Sequence, residues 1–307
     1  MSILFAGTPQ NAAVTLRELL KAGTPISLVL TRPDAPIGRK AAITPSPVAL
    51  VAAEFDIPTI KSNKVDEVEI AQIQSHGVEF AIVVALGVLL KNQALTALPK
   101  GWFNLHYSLL PRWRGAAPVQ HALMAGDSET GITVFQIDAG LDTGPIVSSL
   151  PTKISPSENA GDLLERLTLL GVSLILEVIP QIESGLINLK PQDDSGQTIA
   201  KKLFKADGRI DLTLASRENA NRVRGLTPEP GAWIPFRGQT LKLWIVRDVS
   251  RSGSIGQLEI ESGKIFVGCG SGSLELVEVQ PAGKNRMAAA DWFRGLQGPD
   301  LKIGDID

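Results

Sequence analysis

Residues 3–20 read ILFAGTPQNAAVTLRELL, in which an apolar run is followed by the turn residues Gly7-Thr8-Pro9 and a stretch with helical spacing. This order predicts a β-strand, a tight turn and an α-helix that continues to Leu20. Further short apolar runs occupy residues 27–31, 59–61 and 79–85, and stretches with helical spacing separate them. Because strands that alternate with helices form parallel sheets, the first half of the chain is predicted to be Rossmann-like α/β.

The turn after the first strand exposes backbone N–H groups that can face an anionic or polar ligand. A nicotinamide cofactor is not supported, since the turn lacks the full G-x-G-x-x-G pattern. Farther along, Ser46 and Pro47 have the residue types of an N-cap and a first helical turn, which predicts a helix to about Phe55. Apolar residues at three- and four-residue steps over 163–178 predict a long helix that packs on the sheet.

The pattern of apolar and polar residues changes after residue 189. A polar connection leads to alternating apolar runs at residues 241–246 and 274–279, punctuated by glycines, which predict antiparallel strands. The predicted domains are a catalytic domain over residues 1–189, a linker over 190–204 and a smaller β domain over 205–307. Residues 201–247 hold ten basic and four acidic side chains, so this segment is either a surface for a polyanion or an ordinary solvated face.

Composition limits the classes of protein that remain. With 307 residues, 44% hydrophobic and 20% charged, the chain resembles folded soluble proteins. Its longest apolar stretch, Phe80–Leu90, is shorter than the roughly 20 residues that cross a bilayer, and no basic signal-peptide region precedes the first strand, so a cytoplasmic protein is expected. One cysteine and three separated histidines give no disulfide and no zinc spacing, so metal chemistry is not expected. Cys269 is interpreted as a small buried hydrophobe.

Asn104-Leu105-His106 ends an apolar run, and residues two apart in a strand point to the same face. An asparagine amide can donate to a developing oxyanion, and a histidine can move a proton near neutral pH. These are the two functions that acyl transfer needs beside a reacting carbonyl. Taken alone, the pair also fits a structural role at the end of a sheet.

Two motifs follow this pair: SLLPRWRGAAP at residues 108–118 and DAGLDTG at residues 138–144. With them, the chain resembles the folate-dependent formyltransferases, which carry Asn-x-His, then Ser-Leu-Leu-Pro, then a Leu-Asp-Thr-Gly loop. The RWRGAAP segment, the early Gly7-Thr8-Pro9, RPD at residues 32–34 and QPAGK at residues 280–284 are similar to the branch whose acceptor is methionyl-tRNA. The likeness spans nearly the whole chain.

The resemblance implies a Rossmann-like formyltransferase domain followed by a smaller β-barrel, OB-like, C-terminal domain. It assigns catalysis to Asn104, His106 and Asp142. The residues that it assigns to the reduced folate are Gly87, Val88, Ser108, Leu109, Leu110, Pro111, Asp138, Gly140 and Leu141. Contacts with tRNA are expected at Arg39, Lys40, Lys202 and Lys205.

The implied reaction moves the formyl group of 10-formyltetrahydrofolate to the α-amino group of methionine on initiator methionyl-tRNA, for translation initiation. The expected enzyme is a cytoplasmic monomer without metal or membrane. One alternative is a formyltransferase for a small amine such as glycinamide ribonucleotide or an amino sugar nucleotide, which would not need a basic β domain. Another is a tRNA-binding protein with an inactive Rossmann domain, which gives no reason for the three catalytic residues to occur together.

The chain departs from the family pattern at two places. Leu86 stands where an aromatic residue is often found, so folate packing is expected to differ in detail. In the segment 33–45, which resembles a loop that engages the tRNA acceptor stem, Ala41 and Ala42 replace lysines, so weaker contact is expected. Trp113, between two arginines, is expected either to stack on a base or to anchor its loop. His76 and His121 are interpreted as surface or packing residues.

Overall fold

The computed structural model describes residues 2–37, 41–296 and 301–304. Contacts divide the chain into two units: Met1–Gly115, Thr130–Thr152 and Leu164–Ile199 form the first, and Ala116–Glu129, Lys153–Leu163 and Ala200–Asp307 form the second. The predicted bounds 1–189, 190–204 and 205–307 stay a prediction, while two earlier segments, 116–129 and 153–163, group with the second unit. Residues 190–199, expected as linker, group with the first unit.

The strands are numbered in chain order. They are β1 (Ile3–Gly7), β2 (Ile26–Thr31), β3 (Ala35–Ile37), β4 (Ala42–Thr44), β5 (Thr59–Lys61), β6 (Phe80–Val84), β7 (Trp102–His106), β8 (Arg114–Gly115), β9 (Glu129–Gln136), β10 (Ile146–Lys153), β11 (Ile199–Ala200), β12 (Ala232–Phe236), β13 (Gln239–Val249), β14 (Leu258–Glu261), β15 (Lys264–Gly268), β16 (Ser273–Pro281) and β17 (Met287–Ala288).

The helices are numbered in the same way. They are α1 (Gln10–Lys21), α2 (Pro47–Glu54), α3 (Glu67–Ser75), α4 (Asn92–Leu95), α5 (Pro118–Ala125), α6 (Ala160–Ser184), α7 (Ser216–Leu226) and α8 (Ala289–Arg294), with a 3₁₀ helix at Lys205–Gly208. Among the described residues, no helix has both the length and the hydropathy of a membrane span.

The sheet of the first unit has seven strands in the order β10-β9-β7-β6-β1-β2-β5. The pairs from β7 through β6, β1 and β2 to β5 are parallel, and β9 joins β7 antiparallel. The predicted Rossmann-like α/β fold is therefore confirmed. Strand order reverses between β1 and β6, and open α/β sheets bind ligands at the carboxyl ends of the strands beside such a point.

The buried strands explain why the sequence reads as continuous apolar runs. All side chains of β1 and β6 are buried, as expected when helices cover both faces of a parallel sheet. The predicted cap of α2 is also present, since the Ser46 hydroxyl accepts a hydrogen bond from the Ala49 N–H at 3.0 Å. On α6, Leu167, Ile175 and Val178 are fully buried and confirm the predicted core face.

The second unit contains an antiparallel sheet in the order β12-β13-β16-β15-β14, with β17 paired to β16. The predicted C-terminal domain of antiparallel strands is confirmed. Residues 301–304 contact both ends of this sheet: the Leu258 N–H donates to the Leu301 carbonyl at 2.8 Å, and the Gly304 N–H donates to the Pro235 carbonyl at 2.9 Å. This bridging supports the OB-like barrel, which stays a prediction.

Cys269 lies in the core of the second unit with 3% of its surface exposed. Burial raises the pKa of its thiol to about 11, so the reactive thiolate is scarce at neutral pH. The interpretation of Cys269 as a buried hydrophobe is confirmed.

Candidate active site

Strand β7 carries the first two predicted catalytic residues on one face. Asn104 lies between Val83 of β6 and Phe135 of β9 in the ladder, and His106 is only 5% exposed. The Asn104 side chain is partly buried and makes no hydrogen bond to another described residue. Its amide is therefore available to donate to a ligand.

The two ring nitrogens of His106 have different neighbours. Nε2 lies 2.8 Å from the carbonyl oxygen of Trp113, while Nδ1 lies 3.7 Å from Oδ2 of Asp142. A carbonyl oxygen only accepts hydrogen bonds, so this contact assigns the hydrogen of the neutral ring to Nε2. The lone pair is then on Nδ1, which is the basic atom and faces the carboxylate.

Electrostatics keeps this ring neutral before reaction. Burial lowers the pKa of His106, while the Asp142 carboxylate and the Trp113 carbonyl oppose that shift. Burial is the largest cause because a charged imidazolium loses hydration inside the protein. At neutral pH, Nδ1 is therefore ready to accept a proton.

Asp142 lies between β9 and β10, on a connection named the Asp142 loop (residues 137–145). Its φ is +52°, in the left-handed region that non-glycine residues rarely adopt. Its Oδ2 accepts a hydrogen bond from the Gly115 N–H at 2.8 Å, so the same oxygen faces both Gly115 and His106. The carboxyl group is thus held at the imidazole from a second direction.

The rest of the Asp142 loop is closed by short polar contacts. Oδ1 of Asp138 accepts from the Gly140 N–H at 3.0 Å and from the Thr143 hydroxyl at 2.7 Å. Gly144 approaches Gln136 so closely that an added Cβ would lie 1.8 Å from its carbonyl oxygen. Leu141, at the tip, is 59% exposed. A tightly folded loop thus presents Leu141 to solvent and Asp142 to His106.

Gln192 is a site residue that the sequence did not reveal. Its Nε2 donates to the carbonyl oxygens of Asp142 and Gly144, at 2.8 Å each. Its Oε1 accepts from the Arg114 guanidinium at 2.8 and 3.1 Å. Residue 192 lies in a polar connection without motif spacing, so sequence reasoning placed it in a linker.

The predicted folate segment after β7 is tied to β9. Ser108 is fully buried, and its hydroxyl donates to the Arg112 carbonyl at 2.6 Å. The Thr133 hydroxyl donates to the Ser108 carbonyl at 2.7 Å and accepts from the Leu110 N–H at 3.3 Å. These bonds fix the backbone of residues 108–110, and Leu109 and Pro111 are partly buried beside them.

Gly87 and Val88 follow β6, next to the point where strand order reverses. Gly87 has φ of +72°, which explains a glycine there. The Thr8 hydroxyl donates to the Leu86 carbonyl at 2.9 Å, joining the loops after β1 and β6. Leu86, which stands where the family often has an aromatic residue, is 3% exposed and packs in the core of the first unit.

The predicted tRNA residues lie elsewhere or are not described. Arg39 and Lys40 lie outside the described residues. Lys202 and Lys205 are exposed in the second unit, where the Lys202 ammonium lies 5.5 Å from the ring centre of Phe204. Within the described ranges, no group of three or more His, Cys, Asp or Glu side chains is placed to hold a metal ion.

Three further residues with sequence predictions are Trp113, His121 and His76. The Arg112 guanidinium lies 4.4 Å from the centre of the Trp113 ring, so a cation already covers one part of that ring. His121, on α5, contacts the Lys201 carbonyl at 3.0 Å through Nε2. His76 is exposed at the end of α3, as predicted.

Comparison with known families agrees with this fold. Residues 1–179 match the formyl transferase family model, and residues 202–297 match the model of the formyl transferase C-terminal domain. The chain therefore belongs to the formyl transferase family.

Its relatives within the family carry a more particular name. The chain is 45% identical to the methionyl-tRNA formyltransferase of Paenarthrobacter aurescens over 306 residues, covering 99% of each chain. It is 42% identical to the methionyl-tRNA formyltransferase of Streptomyces coelicolor over 310 residues, covering 99% of this chain and 100% of the relative. The similarity extends over both units.

Solved structures show the same fold at much lower identity. An N-formyltransferase from Helicobacter canadensis, in complex with folinic acid and dTDP-3-aminofucose, has a TM-score of 0.69 at 17% identity and covers 91% of this chain and 98% of its own. HypX from Aquifex aeolicus, a variant, has a TM-score of 0.67 at 15% identity and covers 97% of this chain and 49% of its own.

Proposed function

We propose that this chain transfers the formyl group of 10-formyltetrahydrofolate to the α-amino group of methionine on initiator methionyl-tRNA. The observation that carries the proposal is the arrangement of Asn104, His106 and Asp142. In that arrangement an amide without a hydrogen-bond partner among the described residues lies on the same strand face as an imidazole whose basic nitrogen faces a carboxylate. Identity to methionyl-tRNA formyltransferases over nearly the full length supports the choice of acceptor.

The first step is attack of the amine on the formyl carbon. An unperturbed α-amino group has a pKa of roughly 7.7 to 8.0, so part of it is a neutral nucleophile at physiological pH. The new N–C bond converts the formyl oxygen into an oxyanion. The Asn104 amide donates a hydrogen bond to that oxygen, the kind of contact that stabilises such intermediates.

The second step moves a proton. Nδ1 of His106 accepts the proton that the amine loses, and the Asp142 carboxylate stabilises the resulting imidazolium. The same proton then passes to the folate nitrogen as its bond to the formyl carbon breaks. Nε2 stays bonded to the Trp113 carbonyl throughout, so oxyanion stabilisation is assigned to Asn104 rather than to His106.

The folate is proposed to bind along the loops after β6 and β7 and against the Asp142 loop. The segments that carry this are 87–88, 108–111 and 138–141. All three segments lie on the first unit, and residues 87–88 follow β6 beside the point where strand order reverses. The fixed backbone of residues 108–110 and the glycines of the Asp142 loop suit close approach of a planar ligand.

The tRNA is proposed to contact the basic segment of the second unit through Lys202 and Lys205, and Arg39 and Lys40 on sequence grounds. Lys202 and Lys205 are both exposed. A monomer is proposed as the acting form. A small amine acceptor is less favoured, because the relatives at 41–46% identity share both units and are named for methionyl-tRNA.

The test is transfer of labelled formyl from 10-formyltetrahydrofolate to charged initiator tRNA, detected as acid-stable formyl-methionine. Charged elongator tRNA, glycinamide ribonucleotide and an amino sugar nucleotide are compared as acceptors at equal concentration. We expect rapid transfer to the initiator tRNA and much slower transfer to the others. Transfer that is faster to a small amine than to charged initiator tRNA would contradict the proposal, and so would no transfer to any acceptor.

A further inference from the structure

We infer that Gln192, held by the buried Arg114, is a positioning residue that fixes Asp142 against His106. The polar connection after α6 would then be part of the active site rather than a linker. This inference rests on the proposed function, because its main readout is formyl transfer.

The hydrogen bonds of Gln192 use the whole amide. Both carbonyl oxygens that it meets, those of Asp142 and Gly144, only accept, and the guanidinium that it meets only donates. Nε2 must therefore face the loop, and Oε1 must face Arg114. With both ends bound at 2.8–3.1 Å, the side chain has one orientation, and it joins the loop to the arginine.

Arg114 is fixed more firmly than a surface arginine. It is 3% exposed, and its guanidinium also donates to Oε1 of Gln197 at 2.7 Å and to Oδ1 of Asp194 at 3.1 Å. A buried guanidinium is costly unless its donors are paired, and its planar fork matches several acceptors at once. The arginine therefore gives Gln192 a rigid base.

The neighbours of Arg114 contact both catalytic side chains. The Trp113 carbonyl meets Nε2 of His106, and the Gly115 N–H meets Oδ2 of Asp142. Residues 113–115 thus hold the imidazole and the carboxyl group through the backbone. Gln192 donates to the backbone carbonyl of Asp142. Residues 113–115 therefore hold the carboxyl group of Asp142 through Gly115, and its backbone through Arg114 and Gln192.

The backbone conformation of Asp142 explains why its loop depends on the hydrogen bonds of Gln192. Asp142 is in the left-handed region, and its carbonyl oxygen is paired by Gln192. Without Gln192, two loop carbonyls lose these partners, and the carboxyl group can move from its 3.7 Å distance to His106. Displacing a catalytic group by about 1 Å can lower a rate about 100-fold.

The experiment uses Gln192→Met, a neutral side chain of similar length that neither donates to the loop nor accepts from Arg114 as an amide does. We expect the single-turnover rate to fall about 10- to 100-fold, with tRNA and folate KM values changed by no more than about twofold. The pH–rate profile should shift, because Asp142 is the charged group that acts on His106.

Gln197→Met is the matched control. Gln197 accepts from the same guanidinium and lies on the same segment, yet its side chain makes no hydrogen bond to the Asp142 loop among the described residues. Because Gln192 and Asp194 still accept from Arg114 in this variant, its rate should fall much less than that of Gln192→Met, and its pH profile should not shift. Equal losses in both variants would mean that Arg114 needs its acceptors for folding, and would overturn a specific role for Gln192.

Gln192→Glu separates the two ends of the side chain. An ionised carboxylate still accepts from Arg114 but cannot donate to the two loop carbonyls, so this variant should also lose rate. Wild-type rate and pH profile in Gln192→Glu or Gln192→Met would overturn the inference. Folate binding shows that each variant is folded. Absence of transfer by the wild-type protein would instead count against the proposed function.

Discussion

His106 and Asp142 face each other across 3.7 Å, from Nδ1 to Oδ2, while the other ring nitrogen of His106 is bound to the Trp113 carbonyl. The imidazole therefore has one nitrogen for chemistry and one for anchoring. In the proposed mechanism, this division places proton transfer on the side of the ring that Asp142 faces and leaves Asn104 as the donor for the oxyanion.

Asn104→Ala should lower the single-turnover rate by about 10² to 10³, the usual effect of losing one oxyanion donor, with tRNA affinity nearly unchanged. The reason is that its amide makes no hydrogen bond to any other residue that the structure describes, so it can donate to a ligand. Rapid mixing of the enzyme, folate donor and charged tRNA measures the rate. Asn92→Ala, at an exposed position on α4, is the control and should react normally. An Asn104→Ala rate within about threefold of wild type would remove Asn104 from the oxyanion site.

Asp142→Asn should leave the fold intact and reduce the rate, because the imidazolium loses its counter-charge. The carboxylate raises the pKa of His106 against the effect of burial, so its removal lowers that pKa further. The acidic limb of the pH–rate profile should therefore move to lower pH. Rates measured from pH 5 to 9 test this, and an unmoved limb with normal turnover would give Asp142 a merely structural role.

His106 should also make folding depend on pH. Burial lowers its pKa in the folded state, so below the ordinary pKa of about 6.5 the unfolded chain binds a proton that the folded chain does not. The free energy of unfolding should therefore fall as pH drops from about 7 to 5, and it should fall less in His106→Gln. Urea unfolding at both pH values measures the difference. The control is exposed His76→Gln, and equal pH slopes in wild type and His106→Gln would refute the prediction.

Gly144→Ala should disrupt the Asp142 loop, since the added Cβ would lie 1.8 Å from the Gln136 carbonyl oxygen. We expect most activity to be lost and protease cleavage within residues 138–144 to increase. Gly295→Ala is the control, because Gly295 has a φ of −81° and an added Cβ would come no closer than 3.4 Å to another atom. Normal activity of Gly144→Ala would show that the loop can rearrange without cost to the site.

Lys202→Ala and Lys205→Ala should each weaken tRNA binding and reduce the slope of log affinity against log salt by about 1 if each contacts a phosphate. Folate binding should be unchanged, because the proposed folate segments lie on the other unit. Salt titrations of tRNA binding test this, with Lys21→Ala on α1 as a lysine control. An unaltered slope in both variants would place the tRNA surface elsewhere.

Sequence predicts best where burial is complete. The apolar runs of β1, β2 and β6 agree with the observed strands within about two residues, because strands covered on both faces leave an uninterrupted signal. Helix α7 was missed, since it buries Ser216 and Asn219 and its apolar period is broken by polar residues. The hairpin β3–β4 was missed because its short strands are largely exposed, so burial gives them no continuous apolar run.

The site residues also differ in how clearly the sequence marks them. The pair on β7 and the Leu-Asp-Thr-Gly loop are marked by local motifs, so Asn104, His106 and Asp142 could be named from sequence. Gln192 could not, because it reaches Asp142 across 50 positions of chain through hydrogen bonds to backbone atoms, and any residue type can supply a backbone carbonyl. A side chain that binds backbone carbonyls therefore requires no recognisable motif in the loop that it holds.

The contacts of residues 301–304 bear on aggregation. Edge strands with unpaired N–H and C=O groups are templates onto which another polypeptide can add a strand. In the second unit, the edge strands β12 and β14 both hydrogen-bond to this four-residue segment, through Pro235 and Leu258. Occupied edges cannot pair with a neighbouring molecule at those positions. The segment therefore blocks strand addition at these two edge positions, a benefit independent of catalysis.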